Sequence, residues 1–167
     1  MHFLSPSFVP RLGALTALCG VAALLAFAPG CASSGGGASD GFHAASASSV
    51  SALQQTELRL KKLIVDGMEV PLPAKPPITL RFDEGGKVAG RSAVNRYFGS
   101  YQLGANGAVQ WPGPGLGMTR MAGPAPLMEL EAKFSRALTA TTQLLVSTNG
   151  ARFRSADAKQ SLDFVRP

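Results

Sequence analysis

Three regimes of hydrophobic and polar patterning divide the 167-residue chain. From Leu12 to Ala28 the residues are uncharged and mostly apolar, with Arg11 directly before them. From Ala32 to Ala52 nearly every position is Ala, Ser or Gly, the exceptions being Asp40, Phe42, His43 and Val50. From Glu57 onward charged and apolar residues alternate to the carboxyl terminus, and this third regime predicts short strands. Ile78 to Phe82 has period two, and Asp83-Glu-Gly-Gly86 supplies the turn before Lys87 to Gly90, which reads as a hairpin. Ser100 to Leu103 and Ala108 to Trp111, around Gly104-Ala-Asn-Gly107, give a second. Thr142 to Ser147, Arg152 to Ser155 and Ser161 to Val165 give a final meander. Pro71, Pro73, Pro76 and Pro77 interrupt pairing after Ile64 to Val70. One helix breaks the pattern: Leu127, Leu130, Phe134, Ala137 and Leu138 recur near every 3.6 residues, with Glu129, Glu131, Lys133 and Arg136 read as pointing away. Pro124 and Pro126 suit its first turn.

The first two regimes concern location. A basic flank, an apolar stretch and the exit Pro29-Gly30-Cys31 form a secretion signal. The exit resembles the lipobox of bacterial lipoproteins, in which the cysteine is acylated and the bond before it cut. Residues 1–30 are therefore expected to be a lipoprotein signal peptide and Cys31 the lipidation site. An uncleaved anchor, since about 17 apolar residues approach the roughly 20 that span a bilayer, ordinary signal cleavage nearby, and a cytosolic protein with a buried helix, which Gly13, Gly20 and the all-round apolar surface disfavour, are the competing readings. Two or three acyl chains would hold the protein at a membrane, where a single chain binds only marginally. Ala32 stands where lipoproteins kept at the inner membrane often carry Asp, so the resemblance favours the periplasmic face of the outer membrane. Residues 31–56 would then be the acylated cysteine and a flexible linker reaching about 25 Å. A helical turn around Ala44 to Gln55 would have little to pack on.

The domain at 57–167 contains neither of the two cysteines, Cys19 and Cys31, and neither histidine, His2 nor His43. Serine or cysteine triads and histidine or cysteine metal sites are thereby excluded within it. Asp83 and Glu84 fall in a turn, and Glu129 and Glu131 face different directions on a helix, so no carboxylate pair is evident. Gly113-Pro-Gly-Leu-Gly117 has no Lys-Ser/Thr pair of a phosphate loop. Trp111 reads as a core or barrel-end residue. The formal charge of +6 is spread over scattered arginines and lysines without a basic run. That distribution reads first as a solvated face, with attraction to an anionic surface, lipid or polysaccharide, as the alternative; nucleic acid does not fit it.

The segment Gly90-Arg-Ser-Ala-Val-Asn-Arg-Tyr-Phe-Gly-Ser-Tyr101, then Thr119-Arg-Met-Ala-Gly-Pro124 and Met128-Glu-Leu-Glu131, closely resembles the META domain family, which includes the heat-inducible HslJ-type proteins. That resemblance spans about residues 57 to 167. It implies a mainly β fold, a compact antiparallel barrel-like domain with one α-helix, and no established enzymatic reaction or cofactor. Its motif residues are Asn95, Arg96, Tyr97, Gly99, Tyr101, Thr119 and Met121, read as structural, with Asn95 locking a turn. Many members carry cysteines where Val94 and Gly123 stand in this chain, and the joint loss fits the loss of one paired feature such as a disulfide. The expected function is that of a non-enzymatic, stress-related outer-membrane lipoprotein, a binding or interaction module whose partners are the membrane and an envelope protein or anionic surface. The alternative is a small-ligand carrier with a barrel cavity.

Overall fold

The computed structural model describes residues 41–167; the segment 1–30 expected to be a signal peptide, Cys31 and Ala32 lie outside them. In chain order the elements are β1 (His43–Ala44), α1 (Ala47–Ser51), β2 (Leu58–Val65), β3 (Met68–Glu69), β4 (Thr79–Asp83), β5 (Lys87–Arg91), β6 (Arg96–Ser100) and β7 (Gln102–Leu103). A 3-10 turn (Ala105–Gly107), β8 (Val109–Gln110), β9 (Gly117–Met118), α2 (Ala125–Thr139), β10 (Gln143–Ser147), β11 (Gly150–Arg154) and β12 (Ser161–Val165) complete the chain.

The main sheet is antiparallel, in the order β1-β10-β11-β12-β2-β4-β5-β6-β9, with β3 on β2 and β7-β8 forming a separate pair. It does not close into the expected barrel. Each end is a two-residue strand, β1 or β9. The β7-β8 hairpin meets β10 through the Ala108 to Gln143 bridge and, just before the strand, the bond from Val109 N to Thr142 O at 2.8 Å. Strands of two residues are too short to carry a closing ladder, and they leave only short edges.

Alternation decides which side chains enter the core. Along β2, Leu58, Leu60, Leu63 and Val65 are buried. The odd step from Leu60 to Leu63 is taken up by a register shift against β12, where Asp163 pairs with Lys62 and Phe164 with Leu60. Lys61 is the extra residue of this bulge, which keeps all four apolar side chains on one face. The β4-β5 turn lies where the glycines predicted it. Gly86 has φ +68°, and a Cβ there would come within 2.5 Å of Tyr101 O, so both backbone and space demand glycine.

The interior is dominated by aromatic contacts. Phe153 lies 6.1 Å from Phe82 and 6.2 Å from Phe164, Phe164 lies 6.5 Å from Phe134, and Phe134 lies 5.3 Å from Tyr97, all centroid to centroid. Helix α2 supplies Leu130, Phe134, Ala137 and Leu138 to this core, as its periodicity predicted. Trp111 is half-buried against Tyr101 and Phe153, and its Nε1 donates to Thr141 O at 3.2 Å.

Two expectations change. The motif residues Arg96, Tyr97 and Gly99 that follow the turn at Asn95, which the patterning left without an element, lie in strand β6. The stretch from His43 to Gln55, read as linker, is folded onto the domain: β1 pairs with β10, and Ala45, Val50 and Leu53 are buried. Ser46 and Ser49 cap α1 reciprocally, with Ser49 N donating to Ser46 Oγ at 3.2 Å and Ser46 N to Ser49 Oγ at 2.9 Å. A capping box and two apolar residues three apart provide the packing that the Ala/Ser/Gly composition seemed to lack. His43 accordingly lies on an exposed strand rather than in a tether.

Candidate functional site

Between β5 and β6 the chain turns through Ser92, Ala93, Val94 and Asn95, and the turn closes with Ser92 N donating to Asn95 O at 2.8 Å. Asn95 is 1% exposed and uses every hydrogen-bonding position of its side-chain amide. Its Nδ2 donates to Glu131 Oε1 at 2.7 Å and to Met121 O at 3.2 Å. Its Oδ1 accepts from Thr119 Oγ1 and Met121 N, both at 2.8 Å. Thr119 joins the next strand: its Oγ1 accepts from Arg96 N at 3.1 Å and its N–H donates to Arg96 O at 3.0 Å. One amide thus ties the β5-β6 turn, the 119–121 segment and α2 together.

Glu131 is the other half of this knot. Its Oε2 accepts from Asn95 N at 2.7 Å, from Val94 N at 3.2 Å and from the Ser92 hydroxyl. Desolvation, the strongest influence on this carboxyl, would raise its pKa. The hydrogen bonds from Ser92, from the backbone and side chain of Asn95 and from the backbone of Val94 together outweigh it and hold the pKa below the ordinary glutamate value. Glu131 therefore does not point away from the core. By spacing it belongs with Leu127, Leu130, Phe134 and Leu138 on the inner stripe of α2, and only its charge argued for solvent. Ser92, also missed by the sequence reading, is fully buried.

The remaining motif residues serve packing at different places. Tyr97 is buried against Phe134, donates its hydroxyl to Thr79 O at 2.8 Å, and has its pKa pushed well up by desolvation. Tyr101 packs on Phe82 and Trp111, with burial raising its pKa to about 12. Gly99 makes room for Leu116, whose Cδ2 would lie 2.7 Å from a Cβ at that position. The side chains of Arg96 and Met121 are exposed, and only their backbones join the knot. Val94 and Gly123 are neighbours: a Cβ on Gly123 would stand 3.5 Å from Val94 Cβ.

The polar groups of the knot are bonded to one another, and the Ser92 hydroxyl is buried against Glu131. Among the described residues no group of three His, Cys, Asp or Glu could hold a metal ion, and no helix is long and apolar enough to cross a membrane. What the surface does offer is an open groove of about 540 Å³ over β4, β5 and β6, whose lining includes Glu57, Arg81, Arg91, Arg96 and Phe98.

Fold and knot together define a mainly antiparallel β domain with one long helix pinned to a hairpin turn by a buried Asn-Glu pair. The chain belongs to the META domain family, which it matches over residues 51–166. It is similar in structure to a protein from Burkholderia xenovorans solved by NMR, with TM-score 0.61 and 26% identity, covering 84% of this chain and 99% of that one. A second NMR structure matches with TM-score 0.52 and 30% identity, covering 70% of this chain and 93% of that one. No curated protein matches the sequence.

Proposed function

We propose that this protein is a non-enzymatic envelope lipoprotein of HslJ type, acylated at Cys31 and held at the outer membrane, whose META domain is a binding or interaction module. The observation that carries this reading is the division of labour within the domain. The interior is filled by Phe82, Phe134, Phe153, Phe164 and Tyr97 in mutual contact, and the buried polar groups of the knot are spent on one another. Recognition is thereby left to the outer surface. The same filling speaks against a carrier, which needs an enclosed apolar cavity the size of its ligand.

The test has two parts. Intact mass of protein extracted from membranes should give a chain beginning at acylated Cys31; a free thiol there, or another amino terminus, refutes the anchor. Co-purification from detergent-solubilised envelope should recover the same specific partner with wild-type protein and lose it with Cys31→Ala. Recovery of no specific partner refutes the interaction module.

A further inference from the structure

We propose that the groove on the outer face of β4, β5 and β6 binds an acidic saccharide, its carboxylate or phosphate held between Arg91 and Arg96 and its ring laid on Phe98. The proposal rests on the reading of the domain as an interaction module and names the chemistry that one of its surfaces recognises.

Register builds the site. Arg91 on β5 stands directly opposite Arg96 on β6. Residues so paired have Cα atoms about 4.5 to 5.5 Å apart, and like charges there destabilise the ladder. Three other sheet arginines have acceptors: Arg81 meets Asp83 at 2.7 Å, Arg152 meets Asp163 at 2.8 Å and Arg154 meets Gln143 at 2.9 Å, whereas Arg59 on β2 is exposed with none among the described residues but faces no second arginine in register. Arg91 and Arg96 have none among the described residues, and both are exposed. An oxyanion between them would convert a repulsion into two charge-assisted, fork-shaped contacts.

The next row on the same face supplies the apolar part. Arg81, Ala89, Phe98 and Gly117 lie in register across β4, β5, β6 and β9. The Phe98 ring lies over Gly117, where a Cβ would come within 2.5 Å of it, yet Phe98 remains 62% exposed. Ala89 leaves a low floor between Phe98 and Arg81. Pro77 and Glu57 also line the groove, and its volume of about 540 Å³ lies within the usual range for small-ligand sites.

Three chemistries therefore meet in one small concavity: paired guanidinium donors, an exposed aromatic face and a carboxylate acceptor, Glu57. A sugar ring bearing an acid group answers all three, with its hydroxyls donating to Glu57. An anionic bilayer does not, because it is flat against a concave surface and would meet Glu57 and Asp83 with like charge.

The full chain in neutral-detergent micelles, titrated calorimetrically with trigalacturonate and with glucose 6-phosphate, tests this. At least one should bind, maltotriose should not, and affinity should fall with added salt. Arg91→Gln and Arg96→Gln should each weaken binding about tenfold, the loss of one hydrogen-bonded charge, and Phe98→Ser should weaken it with melting temperature unchanged. Absence of binding by both acids, indifference to all three substitutions, or equal binding of polyglutamate or of phosphatidylglycerol added to the micelles would overturn the saccharide assignment. Envelope co-purification separates the two levels. A partner still captured without any saccharide binding leaves the interaction module standing and removes the groove; loss of the partner from wild-type protein removes the broader reading.

Discussion

The β5-β6 hairpin carries two polar populations, and they obey opposite rules. At its turn, Ser92 and Asn95 are buried and fully bonded to Glu131, Thr119 and Met121. On its outer face, Arg91 and Arg96 are exposed, opposed in register and without acceptors among the described residues. A buried amide must be satisfied or it costs stability, so the knot is what folding selects on its own. An exposed like-charge pair is a stability cost that folding never needs. Substitutions in the knot should therefore act on stability first, and substitutions on the arginine face should not.

The largest effect is expected from Asn95→Ala. It strands Thr119 Oγ1, the Met121 backbone and one oxygen of Glu131, each worth about 1 to 3 kcal/mol where water cannot replace the lost partner. The denaturant midpoint should fall accordingly, with any loss of partner binding following the fraction unfolded. Wild-type stability combined with lost binding would place Asn95 in a recognition site and dissolve the contrast. Glu131→Gln should behave similarly, because an amide NH2 would confront donors already aimed at the carboxylate.

The reverse experiment strengthens the knot's turn. With 3.5 Å between Val94 Cβ and a Cβ at position 123, the pair falls within disulfide reach. Val94→Cys with Gly123→Cys should cross-link when oxidised, closing a loop of about 30 residues and raising stability by about 3 to 4 kcal/mol. Comparing the oxidised and reduced double variant in denaturant checks this. The unmodified domain should be indifferent to reductant, having no cysteine after Cys31.

Local features of the fold were legible in the sequence. Asp83-Glu-Gly-Gly86 located the β4-β5 hairpin, the patterning from Thr142 to Val165 the β10-β11-β12 meander, and the spacing from Leu127 to Leu138 located α2. The failures share a cause: each depends on a partner distant in sequence. Closure of the sheet is decided by whether β8 and β10 can share a ladder, and two-residue strands cannot. Val50 and Leu53 looked too sparse to fold until the domain core received them, with Gln54 and Gln55 bridging to Phe82 of β4. Glu131 was assigned to solvent by its charge, though its spacing placed it on the inner stripe; only the turn at Ser92 to Asn95, more than thirty residues earlier, explains its burial. Asn95 was legible as a buried lock beside a turn, but its side chain makes no bond within that turn: its four partners lie at Thr119, Met121 and Glu131, 24 to 36 residues onward.

Acid provides a smaller and graded test of the knot. The pKa of Glu131 is held down in the folded protein, so its ionised form contributes stability that is present above the unfolded value of about 4.3. That contribution is lost as pH falls from there through the folded pKa. Midpoints for wild type should drop below about pH 4.5 more steeply than for Glu131→Gln, which has no proton to take up at this position. Parallel curves would mean that other carboxylates carry the acid sensitivity.

The smallest stability effect, and the one that distinguishes the two faces most sharply, is expected from Arg96→Gln. The side chain is exposed, bonds to nothing among the described residues and opposes Arg91, so removing its charge relieves a cross-strand repulsion worth about 0.2 to 1 kcal/mol. The backbone bonds from Arg96 to Thr119 are indifferent to the substitution. Melting temperature should stay level or rise slightly at low ionic strength, and the difference from wild type should shrink as salt screens the pair. A clear loss of stability would mean that the guanidinium holds the hairpin together, and the outer face would then follow the same rule as the knot. A neutral or positive change leaves Arg96 as a residue that folding does not require.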